Sequence, residues 1–117
     1  MAMTEDDLKT MAMALPQVEE AMAYGKPGYK AFGKFLTRFR REDASIVLVG
    51  VTFDEREMLM EAEPETFHIT PHYKDYPSVL ARIATVDPDT VKNLLIRRWR
   101  QVAPKKFLKE YDARSEA

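Results

Sequence analysis

Tyr29-Lys30-Ala31-Phe32-Gly33-Lys34-Phe35-Leu36-Thr37-Arg38-Phe39-Arg40 is the stretch that decides the fold. Two strand-like runs, Tyr29 to Phe32 and Phe35 to Arg40, flank Gly33-Lys34. Glycine as the first central residue suits a type II′ turn, whose twist matches that of the strands it joins. The expected register pairs Phe32 with Phe35, Ala31 with Leu36 and Lys30 with Thr37. One face then carries Lys30, Phe32, Phe35, Thr37 and Phe39. The other carries Tyr29, Ala31, Leu36, Arg38 and Arg40. Neither face is cleanly apolar, so the hairpin is expected to reach past the core at its tip.

Working outward, Tyr24-Gly25-Lys26-Pro27-Gly28 is a turn cluster before the hairpin. Glu19 to Tyr24 is open between helix and strand. Further back, Thr4 can cap a helix with acids in its first turn and Leu8, Met11, Ala12 and Leu15 as its buried stripe; Pro16 ends it. After the hairpin, Ser45 to Phe53 is rich in β-branched residues and nearly uninterrupted, as in a buried central strand. Asp54 with Glu57 resembles a capping box and opens a short helix. Phe67 to Thr70 and Val79 to Ala84 read as strands, with Pro71 to Pro77 a loop between them. Asp87-Pro88 is a cap followed by proline at the first helical position. Val91, Leu94, Leu95, Trp99 and Val102 form the stripe of that helix, and Pro104 breaks it. Phe107, Leu108 and Tyr111 suggest a last amphipathic turn or two. This order predicts an α+β fold with an antiparallel β-sheet packed against helices: an N-terminal helix, a central hairpin and C-terminal helices.

The chain has 117 residues, 45% hydrophobic and 32% charged. That is the composition and length of one globular domain, read here as residues 1–117. It contains no cysteine, which excludes disulfide scaffolds, thiol nucleophiles and cysteine-ligated zinc and fits a reducing cytoplasm. The longest apolar run, Ile46 to Val51, is too short to cross a bilayer, so no membrane partner is expected. Met1-Ala2-Met3 running into Thr4-Glu5-Asp6-Asp7 does not read as a secretory signal.

Eighteen basic and nineteen acidic residues leave a net charge of −1, which excludes a globally basic nucleic-acid binder. The charges are nevertheless segregated. Tyr24 to Arg41 holds six basic residues (Lys26, Lys30, Lys34, Arg38, Arg40, Arg41) and no acid. Asp54 to Glu65 holds six acids and one base, Arg56, and Lys92 to Arg114 holds eight bases and two acids. Solvated faces alone would account for such blocks. A one-sided basic patch meeting phosphates is the functional alternative.

No nucleophile elbow, Walker loop or GxGxxG is present, and no enzyme is expected. His68 and His72 are four apart with Pro71 between them, so they share no helical face. A site of these two with Asp75 is conceivable, but a surface histidine and a loop histidine are the simpler reading, and no metal or cofactor is expected. The basic hairpin is the most suggestive element: long cationic side chains on a two-stranded ribbon can lie along a phosphate backbone. Its structural alternative is an edge hairpin protected by lysine and arginine against sheet-to-sheet pairing. Arg98 falls on the apolar stripe between Leu94 and Val102. It is expected to snorkel, to find a buried carboxylate, or to floor an anionic pocket. Tyr73, Tyr76 and Trp99 could stack on a ligand or close a core over a loop.

Taken together and in order, these motifs resemble the MmcQ/YjbR family of small bacterial proteins. The stretches that carry the resemblance are Ala14-Leu15-Pro16 with Val18-Glu19-Glu20, Tyr24-Gly25-Lys26-Pro27 and Gly33-Lys34. Thr70-Pro71-His72-Tyr73 with Tyr76-Pro77, Trp99-Arg100 and Val102-Ala103-Pro104-Lys105 complete it, spanning about Leu8 to Tyr111. The resemblance implies a frataxin-like α+β fold and DNA binding by a double-wing shape. The leading expectation is a double-stranded DNA-binding module of low sequence specificity, monomeric, with backbone contacts from Lys26, Lys30, Lys34, Arg38 and Arg40. Lys105, Lys106 and Lys109 would add to it if the fold brings them to the same side. The rival is a small-ligand or protein-interaction site built from the His72–Tyr76 loop (His72, Tyr73, Tyr76), Arg82, Arg98 and Trp99.

Overall fold

Thr4 opens the first helix as its sequence predicts. Its Oγ1 accepts the Asp7 N–H at 3.1 Å and its own N–H donates to Asp7 Oδ2 at 2.9 Å, a reciprocal cap. The computed structural model describes residues 3–23 and 25–116; Tyr24 of the expected turn cluster lies outside the described residues, as do Met1, Ala2 and Ala117. After α1 (Glu5–Met13) come β1 (Val18–Ala23), β2 (Lys26–Ala31), β3 (Lys34–Thr37), β4 (Phe39–Arg40) and β5 (Ser45–Val49). Then follow α2 (Phe53–Ala62), β6 (Phe67–His68), a 3₁₀ turn at Pro71–Tyr73, β7 (Ser78–Arg82), α3 (Pro88–Val102) and α4 (Lys105–Glu116). The fold is α+β. Its strands form two antiparallel sheets, ordered β1-β2-β3 and β4-β5-β7-β6.

The hairpin forms, but with its turn one residue earlier than expected. Ala31 pairs with Lys34 and Lys30 with Phe35, so Phe32 and Gly33 are the turn residues. Both have positive φ, 53° and 77°, the signature of a type I′ rather than a type II′ turn. Phenylalanine accepts this conformation because its ring is captured: it lies 6.0 Å from the Trp99 ring and 5.0 Å from that of Phe107. The hairpin therefore does not project past the core. Ala31, Leu36 and Thr37 are fully buried.

A bulge between Tyr29 and Lys30 sets Tyr29 opposite Thr37 and changes which residues share a face. Arg38, expected beside Tyr29, lies over Gly28 instead; a methyl group at Gly28 would meet Arg38 Cβ at 3.1 Å. Phe35 to Arg40 is thus not one strand. The chain leaves the first sheet at Arg38, whose carbonyl accepts the Val47 N–H at 3.0 Å, and enters the second as β4. Thr37 Oγ1 donates to the Val47 carbonyl at 2.7 Å and ties the two sheets together.

β5 is a buried central strand as its composition predicts, but it ends at Val49, and Phe53, the expected end of the strand, opens α2 instead. Ile46 and Leu48 face the main core with Val79 and Ala81 of β7, while Val47 and Leu80 on the other face are fully buried as well. Thr52, not Asp54, caps α2: its hydroxyl accepts the Glu55 N–H at 3.1 Å. Asp54 is the second residue of the helix, in its first turn, where the helix dipole favours an acid. Asp87 caps α3, and Val91, Leu95 and Trp99 are its buried stripe. α4, at 12 residues, is longer than a turn or two, and Arg100 of α3 meets its Asp112 by two hydrogen bonds, 3.1 and 2.7 Å.

Candidate nucleic-acid interface

Alternation along β2 puts Lys26, Gly28 and Lys30 on one face, and the bulge brings Arg38 over the same face. Lys34 stands at the first position of β3, next to the turn. Lys26 and Lys34 are exposed and Lys30 half-exposed. Among the described residues, none of Lys26, Lys30, Lys34 and Arg38 takes part in an ion pair. Other bases do: Lys9 with Glu20, Arg40 with Glu42 and Asp43, Arg41 with Glu5, Arg97 with Glu55, and Arg100 with Asp112. Among the described residues, no acid between Asp54 and Glu65 forms an ion pair with the hairpin, and Glu55 is held by Arg97 at 2.6 Å.

The two arginines of the ribbon differ from its lysines. Arg38 is only 9% exposed and donates from Nη2 to the Tyr73 hydroxyl at 3.4 Å. Arg40 donates from Nε to Asp43 at 3.3 Å and lies over the Tyr73 ring, 5.5 Å from its centroid. Both are drawn inward by the loop after β6, away from the solvent that Lys26 and Lys34 meet.

The second basic block reaches the hairpin at its tip. Phe107, one residue beyond Lys106, stands edge to face with Phe32, next to Gly33-Lys34. Lys105, Lys106 and Lys109 are exposed on α4. Arg98 also arrives here, donating from Nε to the Phe35 carbonyl at 3.2 Å. Its partner is a carbonyl rather than a carboxylate, and burial holds its guanidinium pKa below the ordinary value. Hairpin turn, end of α3 and start of α4 form one neighbourhood.

The residues of the rival site are held at separate places. Trp99 is 1% exposed and donates from Nε1 to the Pro16 carbonyl at 2.8 Å, with Phe32, Phe107 and Tyr111 around its ring. Arg82 donates to the Glu65 carbonyl at 3.2 Å. Tyr73 faces Arg38 and Arg40, while His72 and Tyr76 are exposed with rings 6.1 Å apart. Among the described residues, no hydrogen bond, ion pair or ring contact joins the His72–Tyr76 loop to Arg82, Arg98 or Trp99.

Arg56 escapes a reading of the sequence by charge alone. It is the one base of the acidic block, yet it is buried and donates to four carbonyls: Tyr73, Tyr76 and Ser78 from Nη1, and Lys74 from Nη2. It fixes the loop that carries Tyr73. The signal for it was its isolation among acids. His68, read from the sequence as a surface histidine, is instead partly buried. Its Nε2 lies 2.9 Å from the Oγ of fully buried Ser45 and 3.8 Å from Asp43 Oδ2. Both partners address the same ring nitrogen, and among the described residues no ion pair to a carboxylate is made from the other.

A family model described as YjbR matches residues 13–101. Curated relatives include uncharacterized proteins of Mycobacterium tuberculosis and Mycobacterium bovis. Each is 29% identical over 126 residues, covering 96% of this chain and 98% of the relative. No solved structure matches significantly. No helix among the described residues is long and apolar enough to cross a membrane.

Proposed function

This chain belongs to the YjbR family, and we propose that it binds the sugar–phosphate backbone of double-stranded DNA, without catalysis and with little preference for sequence. The observation that carries this reading is the charge pattern around Phe32. Lys26, Lys30 and Lys34 on the ribbon lack ion-pair partners among the described residues, and Phe107 holds the start of α4, with Lys105 and Lys106, against the hairpin turn. Unpaired lysines on a rigid support release the counterions of phosphates without first breaking internal bridges. Arg38 and Arg40 are secondary here, because their guanidinium groups are turned to Tyr73 and Asp43.

Backbone binding also fits what the ribbon lacks. The chain has two glutamines, Gln17 and Gln101, and neither is on the ribbon to read a base edge. The test is a mobility-shift titration of a random-sequence duplex with the parent chain and with Lys30→Glu/Lys34→Glu. The double variant is expected to lose binding while keeping its melting temperature. Undiminished binding would remove the ribbon from the interface.

A further inference from the structure

The chain's departure from the first sheet at Arg38 leaves a groove between the first half of β2 and β4. It encloses about 620 Å³ and is lined in part by Met22, Lys26, Pro27, Tyr29, Arg38 and Phe39. That volume falls within the roughly 300–1,000 Å³ of small-molecule sites. Pro27 has no N–H to donate, so this length of β2 is a poor edge for an added peptide strand.

Charge gives the groove its sign. Three acids line it, and each has a cation of its own: Glu5 with Arg41 at 3.6 Å, Glu20 with Lys9 at 3.1 Å and Glu42 with Arg40 at 3.8 Å. Lys26 and Arg38 line it too, and among the described residues neither has an ion-pair partner. Arg38 is 9% exposed, and the 3.4 Å bond to Tyr73 uses one of its five N–H donors. Among the described residues no carboxylate lies within ion-pair distance of Arg38, and Glu42, the acid whose field it shares, is bridged by Arg40, so an incoming anion would be its nearest counter-ion. Met22, an exposed apolar side chain at 59%, stands with Pro27, Tyr29 and Phe39 as an apolar wall.

We propose that this groove binds a small organic anion, its carboxylate or phosphate held by Lys26 and Arg38 and its flat apolar body lying against Met22, Pro27, Tyr29 and Phe39. Glu42, at the groove's rim, is the resident competitor. Its carboxyl is held below the ordinary range by its own backbone N–H and then by Arg40, Lys26 and Arg38, so it already occupies the field the ligand would use. The site shares Lys26 with the DNA reading, whereas Lys30 and Lys34 stand further along the ribbon and do not line it.

The experiment is isothermal titration calorimetry of the full chain with benzoate, adenosine 5′-monophosphate and inorganic phosphate. Benzoate or the nucleotide is expected to bind saturably, with inorganic phosphate weaker than both. Lys26→Gln should weaken binding about tenfold, Arg38→Gln at least as much, and Glu42→Gln should strengthen it. Lys30→Gln/Lys34→Gln should leave it intact. Lys26 is exposed, so its variant decides the matter even if Arg38→Gln fails to fold. Absence of saturable binding by benzoate and the nucleotide, or an affinity unchanged in Lys26→Gln, overturns the proposal.

Discussion

Phe32 and Phe107 stand edge to face, ring centroids 5.0 Å apart and planes at 70°. Through this contact the turn of the hairpin and the start of the last helix become one surface. It accounts for the positive φ of Phe32, and it sets the start of the last helix, which carries Lys105 and Lys106, against the turn of the hairpin. Phe107→Ala removes no charge, yet it releases the start of α4 from the ribbon. DNA affinity should fall and its salt dependence should become shallower, read by fluorescence anisotropy at several salt concentrations. An unchanged salt dependence would mean that α4 contributes no contacts.

Trp99 joins α3 to both of these aromatics and to Tyr111, and it satisfies the Pro16 carbonyl. Trp99→Ala should cost about 3–5 kcal/mol, measured by urea unfolding. A stability equal to that of the parent would place the indole outside the core.

Arg56→Met should leave the carbonyls of Tyr73, Lys74, Tyr76 and Ser78 without their shared donor. The expected loss is about 3 kcal/mol, since a charged donor is removed from a buried setting. Hydrogen exchange should speed up first between Pro71 and Pro77. Exchange there at the parent rate would show that the loop is held by something else.

His68 supplies a pH dependence with a definite sign. Burial, and then Arg82 ahead of Arg40, hold its imidazole below the ordinary histidine value, with Asp43 opposing. The unfolded chain therefore takes up this proton first as pH drops. The stabilisation is complete above about pH 6.5 and is lost as pH falls through the depressed folded value. His68→Gln should flatten the melting-temperature profile in that acidic window and leave it unchanged at neutral pH. Parallel profiles for the two proteins would contradict the assignment.

Much of the fold was legible where local chemistry decides it. Thr4, and Asp87 followed by Pro88, mark helix starts because capping is a matter of adjacent residues. Trp99 was readable as core from its place on a helical stripe. The register of the hairpin was not, because Phe32 takes its turn conformation from contacts with Trp99 and Phe107, far along the chain. Nor was the break at Arg38, where strand-like alternation continues unbroken through Thr37-Arg38-Phe39. A bulge at Tyr29/Lys30 and the bond to Val47 make that break. The ribbon lysines could be named from sequence, whereas the groove could not, since it exists only because the chain changes sheets. Lys26-Pro27-Gly28, expected to belong to a turn cluster, instead begin β2, where Pro27 leaves an open edge and Gly28 allows the close approach of Arg38.

The most direct measurement is the salt dependence of binding to a labelled random-sequence duplex. Five phosphate contacts, from Lys26, Lys30, Lys34, Lys105 and Lys106, predict a slope of about −4 to −5 for log affinity against log salt. Lys30→Gln/Lys34→Gln should reduce its magnitude by about 2. A slope near zero, or no saturable binding at low salt, would contradict a phosphate-contacting ribbon.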